Sequence, residues 1–251
     1  MTARFQDLFS RHAGTYSQYR PTYPKALYDY LAGLTPRHEC AWDAGTGNGQ
    51  CAVALAEYFA NVHATDPSAE QIAHARPHPR VTYAVGMAEA SNLPAASVDL
   101  ITAAQAAHWF DMDSFTTEAR RVLKPGGVVA LWSYGFHHSG DAALDALLDR
   151  FGYEIVGPYW ADGAKLTWDG YARLPFAFRE IAAPVFDLDM TVSLPELIGY
   201  LESWSASQKF IAAQGRHPLA DMHKELEAAW GSPREKRLLR CPLGLRVGAP
   251  D

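Results

Sequence analysis

Between Cys40 and Trp132 the chain alternates apolar runs too short to be helices with stretches of helical periodicity. That alternation narrows the possible folds more than any other feature of the sequence. The runs are Cys40-Ala41-Trp42-Asp43, Val62-His63-Ala64-Thr65, Val81-Thr82-Tyr83-Ala84-Val85, Val98 to Ala104 and Val128 to Trp132. Helical segments separate them at Gln50–Phe59, Ala69–Ala75 and Asp113–Leu123; in the last, Phe115, Ala119 and Val122 share one face. Strands joined through helices pair in parallel with helices on both faces, and right-handed crossovers make the sheet doubly wound. Such α/β sheets bind ligands beyond the carboxyl ends of their strands.

The flanks read differently. Ala26–Leu34 has helical spacing and is stopped by Gly33 and Pro36, behind a tyrosine-rich stretch broken by Pro21 and Pro24. After Trp132 the spacing predicts helices at Asp141–Phe151, Pro195–Ser205 and Leu219–Trp230, a strand near Phe178–Leu188 and a last strand over Leu238–Val247. Tyr153, Tyr159, Trp160, Trp168 and Tyr171 enrich the intervening stretch in aromatics. One domain over 1–251 is expected: a ligand-binding core at about 36–135, an aromatic-rich helical cap from 136–176 with the N-terminal helices 1–35, and residues 177–251 completing sheet and cap.

Composition excludes several classes. A chain of 251 residues, 48% hydrophobic and 20% charged, can bury a core without staples. The formal charge is −6, and the densest basic cluster, Arg234-Glu235-Lys236-Arg237, is interrupted by an acid, which argues against a nucleic-acid partner. Cys40, Cys51 and Cys241 fit neither a disulfide framework nor a metal spacing, so no metal is expected. No apolar run reaches the length of about 18 residues that spans a bilayer, and Met1 to Asp7 lacks a signal peptide's apolar core. The expectation is a cytoplasmic monomer or homodimer, away from membranes, that handles a small molecule.

The most informative local motif is Trp42-Asp43-Ala44-Gly45-Thr46-Gly47-Asn48-Gly49-Gln50. An apolar strand ends in an acid, and glycine then takes every second position ahead of a helix. Glycine allows tight turns and close approach of a ligand to the backbone. The dinucleotide fingerprint is G-x-G-x-x-G; here the spacing is G-x-G-x-G. A carboxylate two residues before the first glycine repels a pyrophosphate and attracts an ammonium.

The stretch resembles motif I of the class I S-adenosylmethionine-dependent methyltransferases, of the type 11-like kind. Further resemblances follow in order. Asp66 ends the second strand, as does that family's ribose-binding acid. Gly86-Met87-Ala88-Glu89 with Leu93-Pro94 is similar to the adenine-side segment, Val98-Asp99-Leu100-Ile101 to motif IV, and Arg121 to Gly127 to the turn before strand five. Together these span roughly residues 38–133. Tyr19 to Pro24, Gln105 to Phe110, Gly157 to Trp160 and Tyr200 to Ser205 resemble a subgroup similar to trans-aconitate methyltransferases, some of which methylate small carboxylic acids.

The resemblance implies a seven-stranded, mostly parallel Rossmann-like sheet, S-adenosylmethionine as cofactor, and methyl transfer to a small molecule, with a carboxylate oxygen one possible acceptor. It assigns Asp43 to the cofactor's ammonium, directly or through water, and Gly45 and Gly47 to the loop lying against it. Asp66 receives the ribose diol, because two carboxylate oxygens can each accept one hydroxyl. Ala88 offers its backbone N–H to the adenine. Met87 stands where many relatives carry an acid, and packs on the adenine face instead. Tyr19 and Arg20 are candidates for a carboxylate, with Ala44, Pro67 and Gln105 in the same cofactor set.

His108, after the fourth strand, has three readings: general base, donor that orients a substrate, or structural histidine. Trp109, Trp160, Trp168 and Trp204 are candidate pocket walls beside it. His137-His138 follows strand five, either at the same mouth or as a solvated loop. Two other functions compete. A nicotinamide-dependent oxidoreductase also carries an acid about 20 residues beyond its glycine loop, and a catalytically silent homologue would keep the cofactor site alone.

Overall fold

The computed structural model describes residues 22–250. Helix α1 (Lys25–Gly33) leads into β1 (Cys40–Ala44), α2 (Gln50–Leu55), β2 (Asn61–Asp66), α3 (Ala69–Ala73), β3 (Val81–Val85), β4 (Val98–Ala104), α4 (Met112–Val122) and β5 (Leu123–Ser133). Five strands pair in parallel in the order β3-β2-β1-β4-β5. Beyond β5 lie β9 (Gly244–Ala249), antiparallel to it, and β6 (Arg179–Ile181), antiparallel to β9. The sheet is the seven-stranded, mostly parallel one expected.

Burial explains the strand sequences. Ala41 to Ala44 and Val98 to Ala103 are continuously buried, as strands covered on both faces require. One face packs Leu100, Ala130 and Trp132 under α1 and α2, with Leu27, Leu31 and Phe59. The other packs Trp42, Ile101 and Leu131 under α4 through Phe115, Ala119 and Val122. Asp111 caps α4, its carboxylate accepting from Ser114 N and Ser114 Oγ. At the opposite end of the sheet, Asp99 is buried and accepts from the N–H groups of Glu39 and Cys40 and from Lys124 Nζ.

The remaining elements form a third apolar cluster above the carboxyl ends of the strands. It comprises α5 (Ala142–Asp149), prolonged by a π-turn to Ile155, with α6 (Leu194–Glu202), α7 (Ser205–Gln214), α8 (His223–Trp230) and the two-stranded ribbon β7 (Asp187–Val192) with β8 (Arg237–Pro242). Three expectations are corrected here. The strand near Phe178–Leu188 is two strands in different sheets, β6 and β7. The last strand, expected over Leu238–Val247, breaks between β8 and β9. Pro242 ends the first piece, and a Cβ on Gly244 would fall 2.1 Å from Gly170 Cα, so only glycine passes there. Helix α7 was not expected: Ser205-Ala206-Ser207-Gln208 shows weak periodicity, and the helix rests on packing of Ala206 and Phe210 in the cluster.

Candidate active site

The loop after β1 is built from left-handed glycines at three alternate positions: Gly45 (φ 69°), Gly47 (φ 54°) and Gly49 (φ 81°). Neighbours dictate two of them. A Cβ on Gly45 would fall 2.6 Å from Ala106 Cβ, and one on Gly49 would fall 2.1 Å from Tyr83 Oη. Around a Cβ on Gly47 no described residue lies within 4 Å. That glycine faces open space, a cradle that a side chain would fill.

Two carboxylates fix the loop. Thr65 O accepts from Gly45 N and Thr46 N at 2.8 and 2.9 Å. Asp66 Oδ2 accepts from Gly47 N and Oδ1 from Ser68 N, both at 2.9 Å. Asp66 therefore sits at the end of β2, its carboxylate bridging Gly47 and Ser68. Asp43 lies beneath the loop and is 1% exposed. Its oxygens accept from Thr46 Oγ1 at 2.6 Å and Thr102 Oγ1 at 2.7 Å. Burial raises the Asp43 pKa, opposed by those two hydroxyls. The ammonium contact expected of Asp43 has to pass through the loop or a water, because its carboxylate presents no open face.

On the adenine side, Gly86 N donates to Asp66 O at 3.1 Å, Met87 is exposed and Ala88 is buried. Glu118 pins the segment that follows, accepting from Ser91 N at 2.8 Å and Ser91 Oγ at 2.5 Å. The Arg121 guanidinium, 2.7 Å away, does most to push the Glu118 carboxyl down to about 2.

Beyond β4 the geometry changes character. Gln105 adopts φ 56°. Its Nε2 donates to Tyr134 O and its Oε1 accepts from Tyr134 N, at 3.1 and 2.9 Å. The amide expected among the cofactor residues thus staples the ends of β4 and β5 together. Gln105 also lines a cavity of about 700 Å³, counted with its open mouth. His108 and Trp109 line the same cavity, as do Trp160 and Trp204 from the cap. Trp168, also a candidate wall, lines it as well, and Tyr134, Phe136, Thr167, Tyr200, Ser203 and Ser205, which were not among the expected site residues, complete most of the wall. Phe136 stacks on Trp204 with centroids 5.2 Å apart and planes 16° from parallel, and Trp160 lies 5.6 Å from Trp204. Ala106, whose Cβ packs against the Gly45 position of the glycine loop, stands in the chain between Gln105 and His108, which line the cavity.

His108 has a partner that no motif announces. Its Nδ1 lies 2.7 Å from the hydroxyl of Tyr171. Tyr171 is fully buried at φ 67°, and burial pushes its phenol well above the ordinary range. The N–H groups of His108 and Ala107 face the same phenol oxygen. The short turn at Gly163–Thr167 closes over His108, approaching so tightly that a Cβ on Gly163 would fall 2.7 Å from His108 O. Of the pair after strand five, His138 Nε2 meets Asp149 at 2.9 Å, whereas His137 is buried between Tyr134 and Tyr200. Its Nε2 has no hydrogen-bond partner, and burial pushes its pKa down to about 4. Tyr19 and Arg20 lie outside the described residues.

Comparison with known proteins adds independent findings. Residues 42–131 match the family model described as a methyltransferase domain. A protein of Dictyostelium discoideum described as a methyltransferase is 35% identical over 232 residues, covering 90% of this chain and 88% of that protein. A mycobacterial relative, from Mycobacterium tuberculosis, is 35% identical over 135 residues, about half of either protein. A solved structure described as a type II methyltransferase from Anaeromyxobacter dehalogenans superposes with a TM-score of 0.86 at 41% identity, covering 92% of this chain and 99% of the other.

Proposed function

Since the chain belongs to the class I S-adenosylmethionine-dependent methyltransferases, we propose that it binds S-adenosylmethionine at the β1–β2 crevice and methylates a small molecule held in the aromatic cavity beyond β4. One observation carries the reading. No described residue packs on the Cβ position of Gly47, whose N–H donates to the Asp66 carboxylate, and the loop packs on Ala106, which the chain places between the cavity-lining Gln105 and His108. The residues fit the cofactor. Asp66 presents a carboxylate suited to a diol, Gly47 admits close approach, and Met87 offers an exposed thioether to a flat ring.

S-adenosylmethionine supplies an activated methyl on a sulfonium that leaves readily. The protein's share is positioning. Asp43, Thr46 and Thr102 hold the loop shape, and Gln105 fixes the spacing between the β4 and β5 ends. Trp160, Trp204 and Phe136 exclude water from the cavity side. Holding an acceptor in line with a reacting group can contribute about 7–11 kcal/mol of barrier lowering. No helix among the described residues is long and apolar enough to cross a membrane.

The test is calorimetric titration with S-adenosylhomocysteine and, separately, with NAD, followed by transfer of labelled methyl from S-adenosylmethionine to a panel of small molecules. Binding of the homocysteine product and transfer to one acceptor class support the reading. Binding of NAD alone would restore the oxidoreductase, and product binding without transfer to any class would favour a silent homologue.

A further inference from the structure

We propose that Tyr171 locks His108 as a hydrogen-bond donor, and that the methyl acceptor is a flat aromatic acid whose ionised carboxylate takes that hydrogen bond. The inference rests on the function proposed above and deepens it, because it names the class of acceptor for the same site.

The lock follows from proton bookkeeping around one buried phenol. Tyr171 is fully buried and keeps its proton. Buried in this way, its hydroxyl proton requires an acceptor. The acceptor at hydrogen-bond distance is His108 Nδ1, 2.7 Å away. A neutral imidazole that accepts at Nδ1 carries its proton on Nε2. The arrangement is rigid. Tyr171 holds φ 67°, and its carbonyl and that of Leu174 both accept from Arg246 Nη1, with Arg246 ion-paired to Glu180. On the opposite side, the turn at Gly163 leaves the His108 backbone no room to shift.

A histidine fixed in this tautomer is a donor and a poor proton acceptor. Acceptors such as alcohols and ordinary phenols must lose a proton during methylation, and this imidazole has no lone pair on Nε2 to receive it. A carboxylate needs no base, since it is ionised at neutral pH. One carboxylate oxygen then accepts from Nε2–H. The other uses a lone pair to form the new O–CH3 bond as the CH3–S bond breaks, and that bond's electron pair stays on sulfur. No proton is released, and the anion and the sulfonium both end neutral.

The ring is indicated by the walls. Phe136 and Trp204 stack face to face at 16°, Trp160 and Trp168 lie within 6.5 Å of Phe136, and Tyr134 and Trp109 bring further rings to the same cavity. Aromatic pairs in offset or edge-to-face contact gain stabilisation beyond the area they bury, so these walls favour a further ring. Ser203, Ser205 and Thr167 add hydroxyls for substituents on that ring.

The experiment has two arms on the full-length protein. In the first, 15N NMR of protein labelled at histidine, loaded with S-adenosylhomocysteine, reads the His108 tautomer directly. The expected result is an unprotonated Nδ1 and a protonated Nε2, with the signal moving in Tyr171→Phe; a proton on Nδ1 overturns the lock. In the second, the loaded protein is titrated with benzoate- and naphthoate-type acids, with their neutral hydroxymethyl and phenol counterparts, and with an aliphatic tricarboxylate. Turnover with labelled S-adenosylmethionine follows.

Aromatic acids should bind and react at least tenfold better than either comparison class, giving methyl esters at a rate that is flat between about pH 6 and 9. His108→Gln, which keeps an N–H near the Nε2 position, should retain more turnover than His108→Ala. That rescue reads the donor role even where Tyr171→Phe fails to fold. Preference for a phenol with a basic-limb pH profile, or for the tricarboxylate, overturns the inference and leaves the methyltransferase reading intact. Failure of S-adenosylhomocysteine to bind, seen before any acid is added, removes that reading itself.

Discussion

The two halves of the site are built from different materials. The half proposed for the cofactor is mostly backbone: three left-handed glycines and a carbonyl at Thr65, held by the carboxylates of Asp43 and Asp66 within 24 residues of chain. The acceptor half is side chain: rings from residues 109 to 204, brought together by the end of β5, the π-turn, the Gly163 turn and α6. Backbone chemistry constrains sequence tightly, because few residues satisfy a positive φ or cap a strand end. A wall of rings tolerates any ring of similar size. The first half therefore fits one ligand shared by a family, and the second half is where one chain can differ from its relatives.

The glycines offer the sharpest way to break this contrast, with the largest expected effect. Gly45→Ala places a methyl 2.6 Å from Ala106 Cβ at a left-handed φ. A stability loss of about 3 kcal/mol is expected, from overpacking together with backbone strain, read by urea unfolding. Gly47→Ala meets no neighbour and should lose only about 1 kcal/mol, while S-adenosylhomocysteine affinity falls at least tenfold. If Gly47→Ala left that affinity unchanged, the open space over the loop would not be the ligand's place.

The acceptor half should respond in the opposite sense. Trp204→Ala removes the ring stacked on Phe136 and touching Phe151, Trp160 and Tyr200. A fall in acceptor kcat/KM of at least tenfold is expected, worth about 1.4 kcal/mol of lost transition-state binding, with cofactor affinity within twofold of the parent. Equal losses in both affinities would erase the distinction between the halves.

Acid sensitivity separates them too, more gently. Burial holds His137, beneath the acceptor cavity, down to about 4. A histidine depressed in the folded state is protonated first in the unfolded one, so its contribution is complete above about pH 6.5 and is lost as pH falls toward 4. The loss should be up to about 3 kcal/mol. Glu118, on the cofactor side, is held down to about 2, chiefly by Arg121, so its contribution is lost lower, as pH falls from about 4.5 toward 2. Unfolding free energies measured across that range for His137→Phe should show the upper loss removed and the lower one kept. Removal of the lower loss instead would assign acid sensitivity to the wrong half.

The same contrast governs what could be read from the residues alone. The alternation from Cys40 to Trp132 made the parallel strands legible, because continuous burial on both faces leaves one reading of such runs. The glycine loop and Asp66 were legible for the reason given above: their neighbours and backbone angles admit few residue types. Past Trp132 the signal faded. Helix α7 owes its existence to packing in the cap cluster, and the break between β8 and β9 depends on Gly170, some 70 residues away, pressing on Gly244. Trp160, Trp168 and Trp204 were legible as candidate walls, and Tyr200 lay in a segment of resemblance without being singled out, whereas Phe136 and Tyr134 carried no mark that separates a wall from a core residue. Tyr171 was invisible for the same reason. Only its left-handed backbone and its hydroxyl on His108 distinguish it, and neither is written in local sequence.

The central claim is that the end of β2 holds the cofactor's ribose through Asp66. It is tested most directly by titrating the parent protein and Asp66→Ala with S-adenosylhomocysteine in a calorimeter, with unfolding curves run beside them to confirm an intact fold. The account expects binding to the parent and a loss of about tenfold or more in the variant, the effect of removing charge-assisted hydrogen bonds. Equal affinity in the two proteins would contradict it.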